Sequence, residues 1–362
     1  MAFCAKSLWW SPQRVIPRLR TPPLPCAGRM SVHRQRRHLT TSAEEAAAHM
    51  TRTFTDRVIT RQQVLDGNQL QKLSLTLGRK QLHPDLDVSE TPPPDGTPLP
   101  QGYHLVYFTP NGTESELGPD GTDLTFNAPA PFTRRMWAGG CMTWKTDAAA
   151  QPLRVGQQVE ECTRLVTAMP KTSRGGEEMV LVEVEKEFWG PRGLALVDQR
   201  SWIFRPELPP VATPRKSPPG AVLLTTVRGP STVEDVDSGD GGYPYRRFRW
   251  SPVGLFRFSA LTFNGHKIHY DASWARSVEG HPGWVVHGPL NLINMLDYWR
   301  DVCGEQGAVM REIKYRALSP LYAGDDYQMS AQRQSGPDDG KSVDILVQRG
   351  GVDCMIGTIS TA

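Results

Sequence analysis

The sequence lacks the features that mark several large classes of protein. It has no apolar run near the roughly 18 residues that a membrane-spanning helix requires, which excludes an integral helical membrane protein. Its six cysteines are dispersed without a Cys-x-x-Cys pair, so neither a disulfide framework nor a zinc site is indicated. The 362 residues are enough for about two domains, and 31 prolines with 33 glycines predict many loops and turns.

Acidic residues are absent from the first 43 positions, where arginines are spread among serine, proline and apolar residues. This composition is typical of a mitochondrial transit peptide, and the run from Arg37 to Ser42 resembles a matrix-processing signal with cleavage near Glu44. The alternative is a disordered basic tail, but the acid-free run favours targeting. A secretory signal fits poorly because it requires an uninterrupted apolar core. Residues 1–44 are therefore predicted to be a transit peptide that directs the protein to the mitochondrial matrix.

The charge of the remaining chain argues against a nucleic-acid partner. Of the 41 basic and 38 acidic residues, eight basic and one acidic lie in residues 1–44, which leaves 33 basic against 37 acidic residues. A mildly acidic net charge does not favour binding to the phosphate backbone of a nucleic acid. We therefore expect no nucleic acid among the partners of this protein.

Two parts of the chain share one order of predicted elements. The Pro-Leu-x-x-Gly segment at 320–324 echoes the one at 152–156, and strand patterns that include a hairpin follow each of them. The predicted hairpins cover 177–205 and 343–360. Matching order downstream of a short match indicates an internal duplication. The boundary between the two copies is predicted at residues 206–220, which contain six prolines.

Each predicted unit is a helix followed by several antiparallel strands. The spacing of apolar residues between about 45 and 80 fits one or two amphipathic helices. Residues 103–109 form a short apolar segment that is a strand candidate. A helix wrapped by a curved antiparallel sheet is an α+β arrangement, so this fold class is predicted for both units.

The most informative stretch is Phe-Ser-Ala-Leu-Thr-Phe-Asn-Gly-His-Lys-Ile-His-Tyr-Asp at 258–271, followed by Val-His-Gly-Pro-Leu at 286–290. It resembles the signature of the R-specific hydratase/dehydratase (MaoC-like) family. The positions that fit the signature are Phe258, Leu261, Thr262, Ile268 and His269. The positions that depart from its Gly, Asp, Asn and Pro are Phe263, Asn264, His266 and Lys267.

Three further segments bring the resemblance closer to one branch of that family. They are His-Pro-Gly at 281–283, Leu-Gly-Pro-Asp-Gly at 117–121 and Arg-Arg-Met-Trp-Ala-Gly-Gly at 134–140. The branch contains mitochondrial hydroxyacyl-thioester dehydratases type 2 and bacterial mesaconyl-type CoA hydratases. The resemblance covers roughly residues 100–362. It implies a double hotdog fold, with two tandem units that each wrap a sheet around a central helix. Residues 45–205 would form the non-catalytic unit and residues 221–362 the catalytic one.

Reversible addition of water to an enoyl thioester requires a group that moves a proton and a stabiliser for the enolate oxygen. Histidine suits the first role because its usual pKa, about 6.5, lets it accept and donate near neutrality. His269 is the candidate, and the alternative is a hydrogen-bonded core histidine. A backbone N–H at a helix N-terminus suits the second role. Gly288 is the candidate, with Pro289 at the first helical position; the alternative is an ordinary helix start.

Asn264 occupies the position where the family usually has an aspartate that works with the histidine. An amide cannot exchange a proton near neutral pH, although it can orient water or a hydroxyl group. Either His269 handles both proton transfers or another group assists. His266 and Asp271 lie nearby in sequence, and a loop role is the simpler interpretation of each.

The remaining candidates concern substrate binding. Phe263, His266 and Trp137 are predicted to contact the substrate, and Arg134 with Arg135 would line an acyl tunnel or bind an acyl carrier. Core packing and solvated surface are the alternatives for the first-half residues. His281 and His287 are predicted to be structural. Because the first half has no counterpart of the Asn264 to His269 stretch, one active site per chain is expected.

The resemblance implies a mitochondrial (3R)-3-hydroxyacyl-thioester dehydratase, a hydro-lyase that also hydrates trans-2-enoyl thioesters, in mitochondrial type II fatty acid synthesis. Its substrate would be carried on acyl carrier protein or coenzyme A, with no metal or redox cofactor. One alternative is a hydratase of short dicarboxylic, mesaconyl-type acyl-CoA. Another is a non-catalytic hotdog protein that binds acyl chains. Two oligomeric states are compatible with this prediction: a monomer in which the two units form a pseudo-dimer, and a homodimer.

Overall fold

Thirteen strands and five α-helices are present in the residues that the computed structural model describes, which are 41–145, 152–208, 227–239, 242–304, 308–333 and 342–362. The helices are α1 (Ala43–Phe54), α2 (Gly67–Thr76), α3 (Pro252–Leu261), α4 (Ala272–Ser277) and α5 (Gly288–Tyr298). The strands are β1 (Val58–Val64), β2 (Gln81–His83), β3 (Leu86–Asp87), β4 (Arg134–Trp144), β5 (Gln158–Thr172), β6 (Glu178–Gly190), β7 (Gly193–Arg205), β8 (Thr232–Val236), β9 (Tyr245–Arg249), β10 (Met310–Ala317), β11 (Tyr327–Arg333), β12 (Ser342–Arg349) and β13 (Val352–Thr361).

Eleven of these strands form one sheet in the order β1-β5-β6-β7-β4-β10-β13-β12-β11-β9-β8. The first half, β1-β5-β6-β7-β4, and the second half, β9-β11-β12-β13-β10, place their successive strands in the same order. Strand β8 extends the outer edge of the second half. The halves join where β4 pairs with β10, which sets Gly140 opposite Tyr315. This repeated order supports the predicted duplication and agrees with an α+β fold of two matching units.

The hairpin predicted at 177–205 is confirmed as β6 and β7. Alternate residues of β6 are buried, among them Val180, Val182 and Val184, because successive side chains of a strand point to opposite faces. Helix α1 packs its buried Ala46 and Met50 into the same apolar cluster. The second predicted hairpin is confirmed as β12 and β13.

Helix α5 is the central helix of the second unit. All of its residues from Leu290 to Tyr298 are buried, because the helix packs on one side against Gly357 of β13 and on another against the Gly102–Tyr103 segment of the first half. Gly288 is its first residue and Pro289 its second, whereas the sequence predicts Pro289 at the first helical position. The chain approaches the helix through a single bridge between Val285 and Tyr322.

The first unit has no such long helix at the corresponding place. An equivalent bridge joins Pro98 to Arg154, but the chain then forms one 3₁₀ turn at Tyr103–Val106. The strand predicted at 103–109 is therefore wrong. All four residues of the turn are buried, and a short apolar run that is buried on every side has no period that distinguishes strand from helix.

The predicted helical region at 45–80 contains α1 and α2, but β1 separates them. Strand β1 pairs with β5 at the edge of the sheet, where its residues are alternately exposed and half-buried. Weak burial leaves only a weak apolar pattern, which explains why the strand was missed.

Two predicted boundaries need comment. Helix α1 begins at Ala43, and Ser42 caps it in a reciprocal capping box with Glu45. The predicted transit-peptide end at residue 44 therefore lies inside α1, and the folded body begins about two residues earlier. Of the predicted linker at 206–220, residues 209–220 lie outside the described part of the chain.

Candidate active site

A short loop after α3 carries the histidine motif. Helix α3 ends at Leu261, and the chain turns into a 3₁₀ helix at Lys267–His269 before α4 begins. The Asn264 side-chain oxygen accepts the backbone N–H of His266 at 3.0 Å, which fixes the first part of this loop. The Asp271 side chain caps α4 by accepting the Trp274 N–H, so Asp271 has a structural role here.

His269 is buried, and its Nδ1–H donates to the Val285 carbonyl oxygen at 2.7 Å. Because a carbonyl can only accept, Nε2 of the neutral ring carries the lone pair. Burial, and to a smaller extent the neighbouring His266, lower the pKa of His269 to about 3, against the opposing effect of the Val285 hydrogen bond. His269 is therefore a neutral imidazole, able to accept a proton at Nε2.

Gly288 lies in the wall of the same cavity as this imidazole. As the first residue of α5, its N–H has no acceptor within the helix. A Cβ at this position would lie 3.3 Å from the Cβ of Trp137, so glycine allows the helix end and β4 to approach closely. Because Gly288 lines the cavity, the positive end of the α5 dipole lies at the cavity wall.

Two histidines predicted to be structural also line the cavity. The ring of His287 stacks on that of His269 with centroids 3.6 Å apart, and its Nε2 shares a 2.8 Å hydrogen bond with the Ser259 hydroxyl. Burial holds the pKa of His287 well below its usual value and lowers that of His281 to about 4. The site thus presents a cluster of uncharged imidazoles.

The other predicted site residues divide into two groups. Asn264, His266, Trp137 and Arg134 line the cavity together with His269. Phe263 does not belong to that lining: its side chain is 67% exposed and its backbone φ is 48°, which turns it outward. The position of Phe263 argues against the predicted role in substrate binding.

Sequence reasoning missed two carboxylates next to His266. Its Nε2–H donates to Glu279 Oε1 at 3.2 Å, and Asp120 Oδ2 lies 3.7 Å from the same nitrogen. Burial opposes ionisation of Glu279, but the hydrogen bond and charge of His266 outweigh it and lower the pKa to about 2. Asp120 comes from the Leu-Gly-Pro-Asp-Gly segment of the first half. The spacing of Glu279 from the motif gave no signal.

Asp120, His266 and Glu279 also offer three ligand atoms within 4.8 Å of one another, a geometry that could hold a metal ion. The surroundings do not favour one, because Arg134 Nε lies 3.9 Å from Glu279 Oε2. A divalent cation there would face a guanidinium beside one of its own ligands.

The cavity measures about 340 Å³ and is lined by residues of both halves. Beyond Trp137, the first half contributes a polar wall. Lys186 donates to Glu161 at 3.0 Å, and burial lowers its pKa to about 8. The Arg200 guanidinium lies over the Trp137 ring at 5.3 Å and pairs with Asp198 at 2.6 Å. Residues of both halves therefore meet around the candidate catalytic groups: Trp137 lies against Gly288, and Asp120 lies beside His266.

Solved structures share this architecture. HtdX of Mycobacterium tuberculosis superposes with a TM-score of 0.53 at 14% identity, covering 84% of this chain and all of that chain. A MaoC-like dehydratase from Phytophthora capsici gives a TM-score of 0.53 at 15% identity, covering 84% of this chain and 95% of that one. At these identities the similarity concerns the fold alone, and it confirms the α+β double hotdog.

Sequence comparisons reach further. The chain is 30% identical to mesaconyl-C(4)-CoA hydratase of Chloroflexus aurantiacus over 72% of its length and 88% of the relative. It is 26% identical to the mitochondrial hydroxyacyl-thioester dehydratase type 2 of Schizosaccharomyces pombe, over 62% of this chain and 75% of that one. Residues 102–323 match the model of one family, and with it the chain belongs to the hydroxyacyl-thioester dehydratase type 2 family.

Proposed function

We propose that this hydro-lyase interconverts a (3R)-3-hydroxyacyl thioester and the trans-2-enoyl thioester plus water. The observation that carries the proposal is the pairing of two groups in one cavity: the buried neutral imidazole of His269 and the N–H of Gly288 at the start of α5. A proton acceptor next to a preorganised oxyanion donor is what α-proton removal from a thioester requires. The same pairing weighs against a non-catalytic acyl-binding protein.

In the dehydration direction, the thioester carbonyl oxygen accepts the Gly288 N–H. His269 Nε2 takes the proton from C2, and the electron pair of that C–H bond forms the C2=C3 double bond as the hydroxyl leaves C3. The negative charge that develops on the carbonyl oxygen is stabilised by the Gly288 donor and the α5 dipole. The leaving hydroxyl takes up a proton and departs as water. Hydration reverses each of these steps.

We place this activity in the mitochondrial matrix, in type II fatty acid synthesis, with an acyl carrier protein or coenzyme A as the carrier. The acid-free segment before Glu44 and the mitochondrial name of the fission-yeast relative support this location. Because Ser42 caps α1, we expect processing to leave Ser42 in the mature protein. N-terminal sequencing of protein purified from mitochondria tests this; an intact Met1 on the organellar form would contradict the cleavage.

A second candidate substrate is a short dicarboxylic acyl-CoA. The specific observation is the polar wall of the first half, where Lys186 and Arg200 line the cavity. A long alkyl tail there would press against buried ionic groups, whereas a terminal carboxylate would gain a charge partner. The name of the Chloroflexus relative agrees with this alternative.

The deciding experiment is a comparison of kcat/KM on four substrates: crotonyl-CoA, a long-chain enoyl-CoA, mesaconyl-CoA and an enoyl group on acyl carrier protein. Highest efficiency on the carrier-bound or long-chain substrate supports the fatty-acid role. A clear preference for mesaconyl-CoA supports the dicarboxylic alternative. No turnover of any of the four thioesters would overturn the proposed function.

A further inference from the structure

The Asn264 position leaves the site without the carboxylate that the resemblance implies. The amide of Asn264 cannot exchange a proton, and its oxygen already accepts the His266 backbone N–H at 3.0 Å. Dehydration still requires a proton for the leaving hydroxyl as well as a base for C2. Either His269 serves both positions or another group near the cavity supplies the second proton.

A carboxylate does reach this region, but from a different part of the chain. Glu279 follows α4 and is 7% exposed. Its Oε1 accepts the Nε2–H of His266 at 3.2 Å and the indole N–H of Trp274 at 3.1 Å. Two donors on one buried oxygen fix the carboxylate, and the carboxylate in turn fixes the ring of His266. Glu279 is therefore placed to orient an imidazole.

Glu279 and His266 both line the cavity that contains His269. The ring of His269 meets that of His266 edge to face, with centroids 5.5 Å apart. Because Nε2–H is committed to Glu279, the remaining ring nitrogen, Nδ1, is the one that can exchange a proton. The negative charges of Glu279 and Asp120 outnumber the positive charge of Arg134 around this ring.

We propose that His266, oriented by Glu279, is the second proton-handling residue of the site and replaces the carboxylate that Asn264 lacks. His269 Nε2 takes the proton from C2, while Nδ1–H of protonated His266 gives its proton to the hydroxyl that leaves C3 as water. The site is then left with His269 protonated and His266 neutral. Transfer of a proton from His269 to His266, through the released water, restores the starting state. The proposal rests on the proposed function.

The test is the steady-state kinetics of crotonyl-CoA hydration by the full-length protein with Glu279→Gln or His266→Asn. Both variants are expected to lose about 10²-fold in kcat with little change in KM, because the lost group acts on the reacting atoms and not on the carrier. Glu279→Asp should recover part of the rate. Tyr270→Phe, in the same loop but bonded to the Gly265 carbonyl, is the matched control and should keep the wild-type rate.

The pH profile separates this role from a structural one. In the hydration direction the Glu279→Gln variant should change the pH dependence of kcat/KM, because it removes the carboxylate that accepts the Nε2–H of His266. The groups that face His266 are Glu279, Asp120, Arg134, His269, His281 and His287, and only the first is changed. A profile with unaltered limbs would mean that Glu279 only supports the loop.

The outcomes distinguish this proposal from the proposed function. If the unaltered protein turns over none of the thioesters, the proposed function fails. If it is active and both variants keep their kcat within about threefold, the role of His266 and Glu279 is overturned alone. If Glu279→Gln does not fold, the kinetics of His266→Asn decide, and the thermal unfolding midpoint of His266→Asn shows that this variant is folded. A loss of wild-type activity with a chelator would assign the Asp120, His266 and Glu279 cluster to a metal instead, and would also overturn the proposal.

Discussion

The two halves of this molecule share a strand order and differ in what each sheet encloses. The second half buries α5, whose first residue, Gly288, lines the cavity together with His269. The first half has a single 3₁₀ turn, Tyr103–Val106, at the equivalent place and carries buried ion pairs at Glu161 and Asp198. We infer that the duplicated fold divides its work: one copy keeps the helix end proposed to stabilise an oxyanion, and the other supplies the ion-paired wall.

Two clusters that line or adjoin the cavity handle buried polar groups in opposite ways. At Asp198, in the first half, charge is retained and paired: burial opposes ionisation of Asp198, but the Arg200 guanidinium outweighs it and lowers the pKa of Asp198. At the stacked histidines of the second half, burial instead lowers the pKa of His269 and His287, which leaves both rings neutral. Paired ions suit a fixed wall, whereas a neutral imidazole is a base with a free lone pair.

Replacing His269 should have the largest effect on this division. In His269→Gln the amide can still donate to the Val285 carbonyl, but the side chain no longer offers a basic nitrogen to the substrate. We expect kcat for crotonyl-CoA hydration to fall by about 10²–10⁴-fold, with the unfolding midpoint retained. The matched control is His49→Gln, on the exposed side of α1 in the first half, which should leave kcat unchanged. Activity of His269→Gln within about threefold of the unaltered protein would contradict the assignment.

The buried ions of the first half should matter for stability. Asp198→Asn removes the negative partner of Arg200 and of His104 in a fully buried position. Breaking a buried pair on one side costs about 3–5 kcal/mol in the free energy of unfolding. Urea titration measures this loss, with Asp353→Asn in the second half as the control, since the exposed Asp353 side chain bonds only the Gln348 side chain among its described hydrogen bonds. If Asp198→Asn lowers the free energy of unfolding no more than the control does, the buried ion pairs of the first half do not stabilise the fold.

The buried histidines of the second half predict a stability that falls in acid. The pKa of His269 is lowered to about 3 and that of His281 to about 4, both chiefly by burial, against a usual 6.5. The unfolded chain therefore binds more protons than the folded one, and stability is lost as pH drops from about 6.5 towards 4. Each such histidine contributes about 1.4 kcal/mol per pH unit in that window. Urea midpoints at pH 7.5 and pH 5 test this, and His269→Gln should reduce the difference.

The smallest effect is expected from a substitution at Gly288, where the start of α5 approaches β4 of the first half. In Gly288→Ala the added methyl group would lie 3.3 Å from the Trp137 Cβ and would intrude on the cavity. The N–H survives, so we expect only about a tenfold loss in kcat/KM, on the scale of a displaced oxyanion donor. Gly175→Ala, whose new Cβ would find no atom closer than 3.8 Å, is the neutral control. Equal kcat/KM values for the two variants would contradict a role for Gly288 in the active site.

Local patterns allowed the sequence to predict the strongest elements and part of the site. Strands β6 and β7 were predictable because alternating burial leaves a period of two in the residues. A compact motif and a helix start predicted His269 and Gly288 as site residues; both line one cavity, and their roles in the reaction stay predictions. The contacts of His266 were not, because Glu279 and Asp120 reach it across 13 and 146 positions of chain. Phe263 was misplaced because its positive φ turns an apolar side chain to solvent.

The central claim is that two folded units make one active site. Isothermal titration of the full-length His269→Gln protein with crotonyl-CoA tests it most directly, because the variant should bind the thioester without consuming it. One site per chain is predicted, since the described first half has a 3₁₀ turn where the second has the N-terminus of α5. A stoichiometry of two thioesters per chain would contradict the account.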